Sequence, residues 1–209
     1  DGAVIELNKK KEQKLRLVLT LGKKDKDHCY KLQKILRGGS VSKFDFSKYD
    51  GKYKSEKIKN VIKGGITYKY QLDKTSMCRD LVKLGVTPRK SHSFKPDKSL
   101  IFSYNFWRGI IYGDGSLTNL DKTRSTNLAL GTGSINEFKA YLTFLKKNKI
   151  NNPIIQKKKN IGTIFHVITI SGKRARKLAK LLYKNTNKNQ RLDRKYNLFL
   201  QWKKRRHDI

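Results

Sequence analysis

Leucines at 15, 17, 19 and 21 alternate with other residues up to Gly22, a period of two that predicts a strand with one buried face. Thr126, Leu128 and Leu130 repeat that pattern up to Gly131. A 3.6-residue period then follows in both places. Asp25–Leu36 carries Tyr30, Leu32, Ile35 and Leu36 on one helical face. Ser134–Asn148 carries Phe138, Tyr141, Leu142 and Leu145, with Ser134 as a cap and Glu137 at the third helical position. Further strands are predicted at Ile66–Leu72 and Thr163–Ile170, and closing helices at Ser76–Leu84 and Gly172–Tyr183. Each closing helix leads into a basic turn, Pro88-Arg89-Lys90 or Asp193-Arg194-Lys195. Two copies of one unit are therefore expected, residues 1–92 and 105–209, joined by a polar linker over 93–104.

At the start of the second copy lies Phe106–Ser116, FWRGIIYGDGS. Gly109 and Gly113 are one helical turn apart and share a face where a second backbone could approach closely. Ser103 or Asn105 would cap this helix, and Gly115 is expected to end it in the left-handed conformation. Asp114 then stands at the negative end of the helix dipole. A carboxylate is disfavoured there unless a cation lies nearby, and a divalent metal would provide one.

Charge narrows the partner. Fifty Lys and Arg against sixteen Asp and Glu in 209 residues give a net charge of +34, far beyond what solubility needs. Nucleic acid suits such a surface, because each phosphate contact releases counterions. An anionic membrane is disfavoured, since the basic residues are spread along the chain and no long apolar run exists. Cys29 and Cys78 are too few for a four-ligand zinc site, and His28, His92, His166 and His207 have no ligand spacing. A reducing compartment is expected. The lysine-, asparagine- and isoleucine-rich composition suits an AT-rich genome, so a mitochondrion or other organelle, or a phage or bacterial cytoplasm, is the expected location, and secretion is not expected.

Trp107–Gly115, WRGIIYGDG, resembles the motif that names the LAGLIDADG homing endonucleases and aligns with it without a gap. Gly109, Ile111, Asp114 and Gly115 match directly, and Gly113 keeps a small residue. Tyr112 replaces the motif's first acid. The resemblance implies an α+β fold of two αββαββα-like repeats related by a pseudo-two-fold, with motif helices packed together and a β-saddle over the DNA major groove. Asp1-Gly2 resembles the tail of a first motif whose helix is absent here, and a longer parent chain is expected.

By this resemblance Asp114 and Asp1, with Gly113, would hold magnesium or another divalent cation, and Lys90 and Lys195 would stand near the attacked phosphate. Asp73, Asp80 and Asp193 are expected instead to be a helix cap, an exposed helix residue and a turn residue. Alternation puts Thr67, Lys69 and Gln71, with Arg16 and Thr20, on the base-reading face, and Arg124 and Asn127 in the second copy. Lys157, Lys158 and Lys159 are expected to grip phosphate. Tyr68, Tyr70 and Phe165 are expected in the core. The implied function is site-specific, metal-dependent hydrolysis of duplex DNA by a pseudo-symmetric monomer. The alternative is a non-catalytic RNA-binding derivative, an intron maturase or organellar ribosome component, with no metal.

Overall fold

The computed structural model describes residues 2–7, 14–46, 65–87, 92–120, 125–160 and 163–204. Two compact units emerge: residues 1–79 with 188–190, and residues 80–187 with 191–209.

The first unit is a four-stranded antiparallel sheet with a helix on one side. Its elements are β1 (Gly2–Leu7), β2 (Lys14–Gly22), α1 (Lys26–Leu36), β3 (Ser40–Asp45) and β4 (Ile66–Leu72). The strand order is β1-β2-β4-β3. Leu17, Leu19 and Leu21 pair with Leu72, Tyr70 and Tyr68, so the leucine alternation falls on one face of adjacent strands. Those residues enclose Cys29, Tyr70 and Leu72, with Leu32 and Leu36 of α1 against them. Helix α2 (Thr75–Lys83) follows, and the division between the units falls within it.

The second unit opens on α3 (Tyr104–Asp114) and continues through β5 (Gly115–Leu120), β6 (Ser125–Thr132), α4 (Ile135–Lys147), β7 (Ile154–Asn160), β8 (Thr163–Ser171), α5 (Gly172–Leu182) and α6 (Asp193–Lys204). Its strand order is β5-β6-β8-β7, the same winding as in the first unit. Leu128, Leu130, Ile168 and Ile170 supply the sheet side of the core. Trp107, Tyr141, Phe144, Leu178, Phe199 and Trp202 supply the helical side. Among the described residues no helix is long and apolar enough to cross a membrane.

The expected linker is not a free tether. Phe94 is buried, its carbonyl accepts from the Ser134 hydroxyl, and Asp97 caps a 3-10 turn at Lys98–Leu100. The cap on α4 holds as expected: Ser134 Oγ accepts from the Glu137 amide at 3.3 Å. Thr132 links Glu137 back to the cap. Glu137 Oε2 accepts from the Thr132 hydroxyl at 2.5 Å, and that hydroxyl accepts from the Ser134 amide at 3.0 Å.

Candidate nucleic-acid interface and motif site

Helix α3 is capped by Ser103, whose Oγ accepts from the Phe106 amide at 3.3 Å. Trp107 and Ile111 face the core, and Trp107 Nε1 donates to the Ile101 carbonyl at 2.7 Å. Arg108 is also buried, with Nη1 donating to Asn105 Oδ1 at 2.9 Å and the Leu182 carbonyl at 3.0 Å. Asn105, Gly109 and Gly113 form the exposed stripe on the other side. Among the described residues, and apart from the helix's own backbone and chain neighbours, nothing lies within 4 Å of where a Cβ on Gly109 or Gly113 would stand. Tyr112, at the place of the motif's first acid, is half-buried beside the Tyr183 ring, and burial pushes its hydroxyl pKa up.

Asp114 is the last helical residue and is exposed. Gly115 departs from the sequence expectation: its φ of −97° and ψ of 163° are extended, because β5 starts there without a turn. What demands glycine is space. A Cβ would stand 2.8 Å from the Ile111 carbonyl oxygen and 2.9 Å from its Cα.

The cation at this helix end comes from the chain itself. Lys195 is 3% exposed, and its Nζ donates to the carbonyls of Ile111 at 2.5 Å, Tyr112 at 2.9 Å and Gly115 at 2.6 Å. An ammonium has three N–H donors, and these carbonyls can take all three. The positive charge sits where the helix dipole is negative and relieves the conflict otherwise left to a metal. Lys195 is also not in a basic turn. It belongs to the first turn of α6, and Asp193, expected in a turn, begins that helix.

Pairing register settles which side chains share the sheet faces away from the helices. In the first unit Thr20 pairs with Lys69, and Gln71 with Val18 and Ser40. Thr67 pairs with Gly22 and Phe44. Thr20, Thr67, Lys69 and Gln71 thus lie on the expected face, with the Lys69 ammonium 5.9 Å from the centre of the Phe44 ring. Arg16 shares that face but is engaged, since its guanidinium holds both carboxylate oxygens of Asp73. Asp73 was expected to cap a helix and is instead this partner. Arg16 holds its carboxyl below the usual range, so the pair persists until pH falls through that lowered value. Asp80 is an exposed residue of α2, as expected.

In the second unit Asn127 pairs with Thr118 and Ser171 on the open face. Lys157 and Lys159 pair with His166 and Ile164, which puts them, exposed, on the helical face of an edge strand. Lys158, opposite Phe165, is the lysine on the open face. Tyr70 is buried and Tyr68 packs against the core, whereas Phe165, expected inside, is 38% exposed on the open face. Asp1, Lys90 and Arg124 lie outside the described residues.

No family model matches the sequence, and no curated protein sequence matches it. Solved structures do match its fold. The homing endonuclease I-WcaI bound to its DNA recognition sequence aligns over 94% of this chain and 80% of its own, with 16% identity and a TM-score of 0.57. A variant of I-DmoI in complex with its target DNA in the presence of manganese aligns over 92% and 91%, with 14% identity and a TM-score of 0.53. The LAGLIDADG meganuclease I-AabMI bound to uncleaved DNA aligns over 98% and 88%, with 10% identity and a TM-score of 0.50.

The chain has the LAGLIDADG homing-endonuclease fold. Within that fold each repeat supplies a sheet with one open face, and α3 carries the motif in the second repeat. Sequence reasoning missed strands β1, β3, β5 and β7, helix α6 and the exposed Phe165. A signal existed for α6: Tyr196, Phe199 and Trp202 recur at helical spacing.

Proposed function

We propose that this protein is a metal-dependent endonuclease that binds and cuts a specific duplex DNA site. The observation that carries the reading is Asp114, an exposed carboxylate at the end of the motif helix, with the neighbouring carbonyls already neutralised by Lys195. The donor chemistry suits magnesium, which binds through one or two carboxylates and keeps waters and phosphate oxygens in its remaining positions. Among the described residues no group of three His, Cys, Asp or Glu forms a closed protein cage.

When bound, the metal would stabilise charge on the attacked phosphate and activate water for in-line displacement. Asp114 would hold it through carboxylate oxygens. Lys195 acts here as a positioning residue, fixing the end of α3 so that Asp114 projects from a rigid element. Thr20, Thr67, Lys69, Gln71 and Asn127 reach base edges, and exposed lysines of β7 contact phosphate.

The test is cleavage of a randomised duplex library with magnesium. A single recovered site is expected, with Asp114→Asn slowing cutting at least about 100-fold while duplex binding persists, as for loss of a group acting in the transition state. Undiminished cutting by that variant would remove Asp114 from the mechanism. Tighter binding to structured RNA than to any duplex would favour the RNA-binding alternative.

A further inference from the structure

The open face of the second unit's sheet carries an apolar centre on a chain of charge +34. Phe165 lies there across Gly131, with ring carbons 2.7 and 2.8 Å from where a Gly131 Cβ would stand. The missing side chain is therefore what seats the ring. Val167 pairs with Gly131, and Thr169 pairs with Ala129 and Ile154, so Phe165, Val167, Ala129 and Ile154 share this face. Phe165 is 38% exposed and Ile154 54%. Polar groups border the apolar centre: Asn127 on β6 and Gln156 and Lys158 on β7.

Burying such a patch against a polyanion is favourable only where the polyanion offers apolar surface. Among base edges in the duplex major groove, thymine offers it through its C5-methyl group, and Phe and Ala side chains are suited to contact it. An RNA duplex offers neither the methyl nor an accessible major groove. The charge excess selects a nucleic acid over a protein partner, and Lys158 stands opposite Phe165 to meet its phosphates.

We propose that this face reads thymine methyl groups, with Phe165 as the specificity-determining residue of the half-site bound by the second unit. The inference rests on the duplex-DNA reading above and deepens it. Selection from a random duplex library is expected to yield a site with a cluster of thymines in one half. Replacing those thymines with deoxyuracil removes only the methyl groups. Native protein should lose about fourfold in affinity per contacted position, the equivalent of burying one methyl group, and Phe165→Ser should no longer distinguish the two bases.

The deoxyuracil arm changes the DNA and leaves the protein intact, so it decides the matter even should that variant misfold. Equal affinity of the native protein for thymine and deoxyuracil duplexes, with the specific site still cut, overturns the thymine readout and leaves the endonuclease standing. Failure to select any duplex overturns both.

Discussion

At the scale of single residues, the end of α3 shows how a motif's chemistry and its scaffolding become entangled. Lys195 bonds carbonyls on either side of Asp114 from 80 or more residues away in sequence. Replacing it with Met keeps the aliphatic stem and removes the charge and its donors. Three carbonyls at a helix end then lose a charged partner in a water-poor site. Lys195→Met is therefore expected to destabilise the second unit by about 1.5–3 kcal/mol, the range for hydrogen bonds to a charged group. Urea unfolding reads this as a lower midpoint at unchanged slope. A midpoint equal to the native one would mean that solvent satisfies those carbonyls and that the lysine is available for chemistry. Gly115 sits in the same small volume for a steric reason, not for the conformational freedom its motif position suggests.

At the scale of elements, legibility follows from how many physical constraints a segment meets. Helix α4 has a cap, an acid in its first turn and a clean apolar stripe, and its bounds agree with the sequence expectation to within a residue at each end. The leucine alternation of β2 is equally plain because, among the described residues, a helix covers one face of that sheet. Strand β7, IIQKKKN, is an exposed edge with no face that must be apolar, so it carries no period and reads as a basic loop. Strand β8 misleads for another reason: His166 lies in the core stacked on Phe138 at 4.4 Å, while Phe165 faces out. The α4 cap does two jobs, since the Ser134 hydroxyl also donates to the Phe94 carbonyl. Ser134→Ala should cost about 1–2 kcal/mol, the upper part of the range for a lost cap. Hydrogen exchange should quicken at the Glu137 amide and around Phe94 together. Quickening at Glu137 alone would show that the Phe94 segment is held by packing instead.

At the scale of the whole molecule, a net charge of +34 sets repulsion among like charges against the local attractive pairs. Even if each of the sixteen acids neutralised one base, thirty-four positive charges would remain on 209 residues. Compact states of such chains are penalised at low ionic strength, because the Debye length is about 30 Å at 0.01 M and about 10 Å at 0.1 M. Added salt therefore has opposite effects on the two properties that matter. It should raise the melting temperature of the free protein by screening like charges, and it should weaken duplex binding by removing the gain from counterion release. Six phosphate contacts would give a slope of log affinity against log salt near about −5. Thermal unfolding at 50 and 500 mM potassium chloride, without DNA, tests the first half. A melting temperature that rises with salt supports the view that the charge excess is maintained for binding at a cost in stability. A fall would mean that local attractive pairs, of the kind formed by Arg16 and Asp73, outweigh the net repulsion, and that the basic residues are organised into stabilising networks before any nucleic acid arrives.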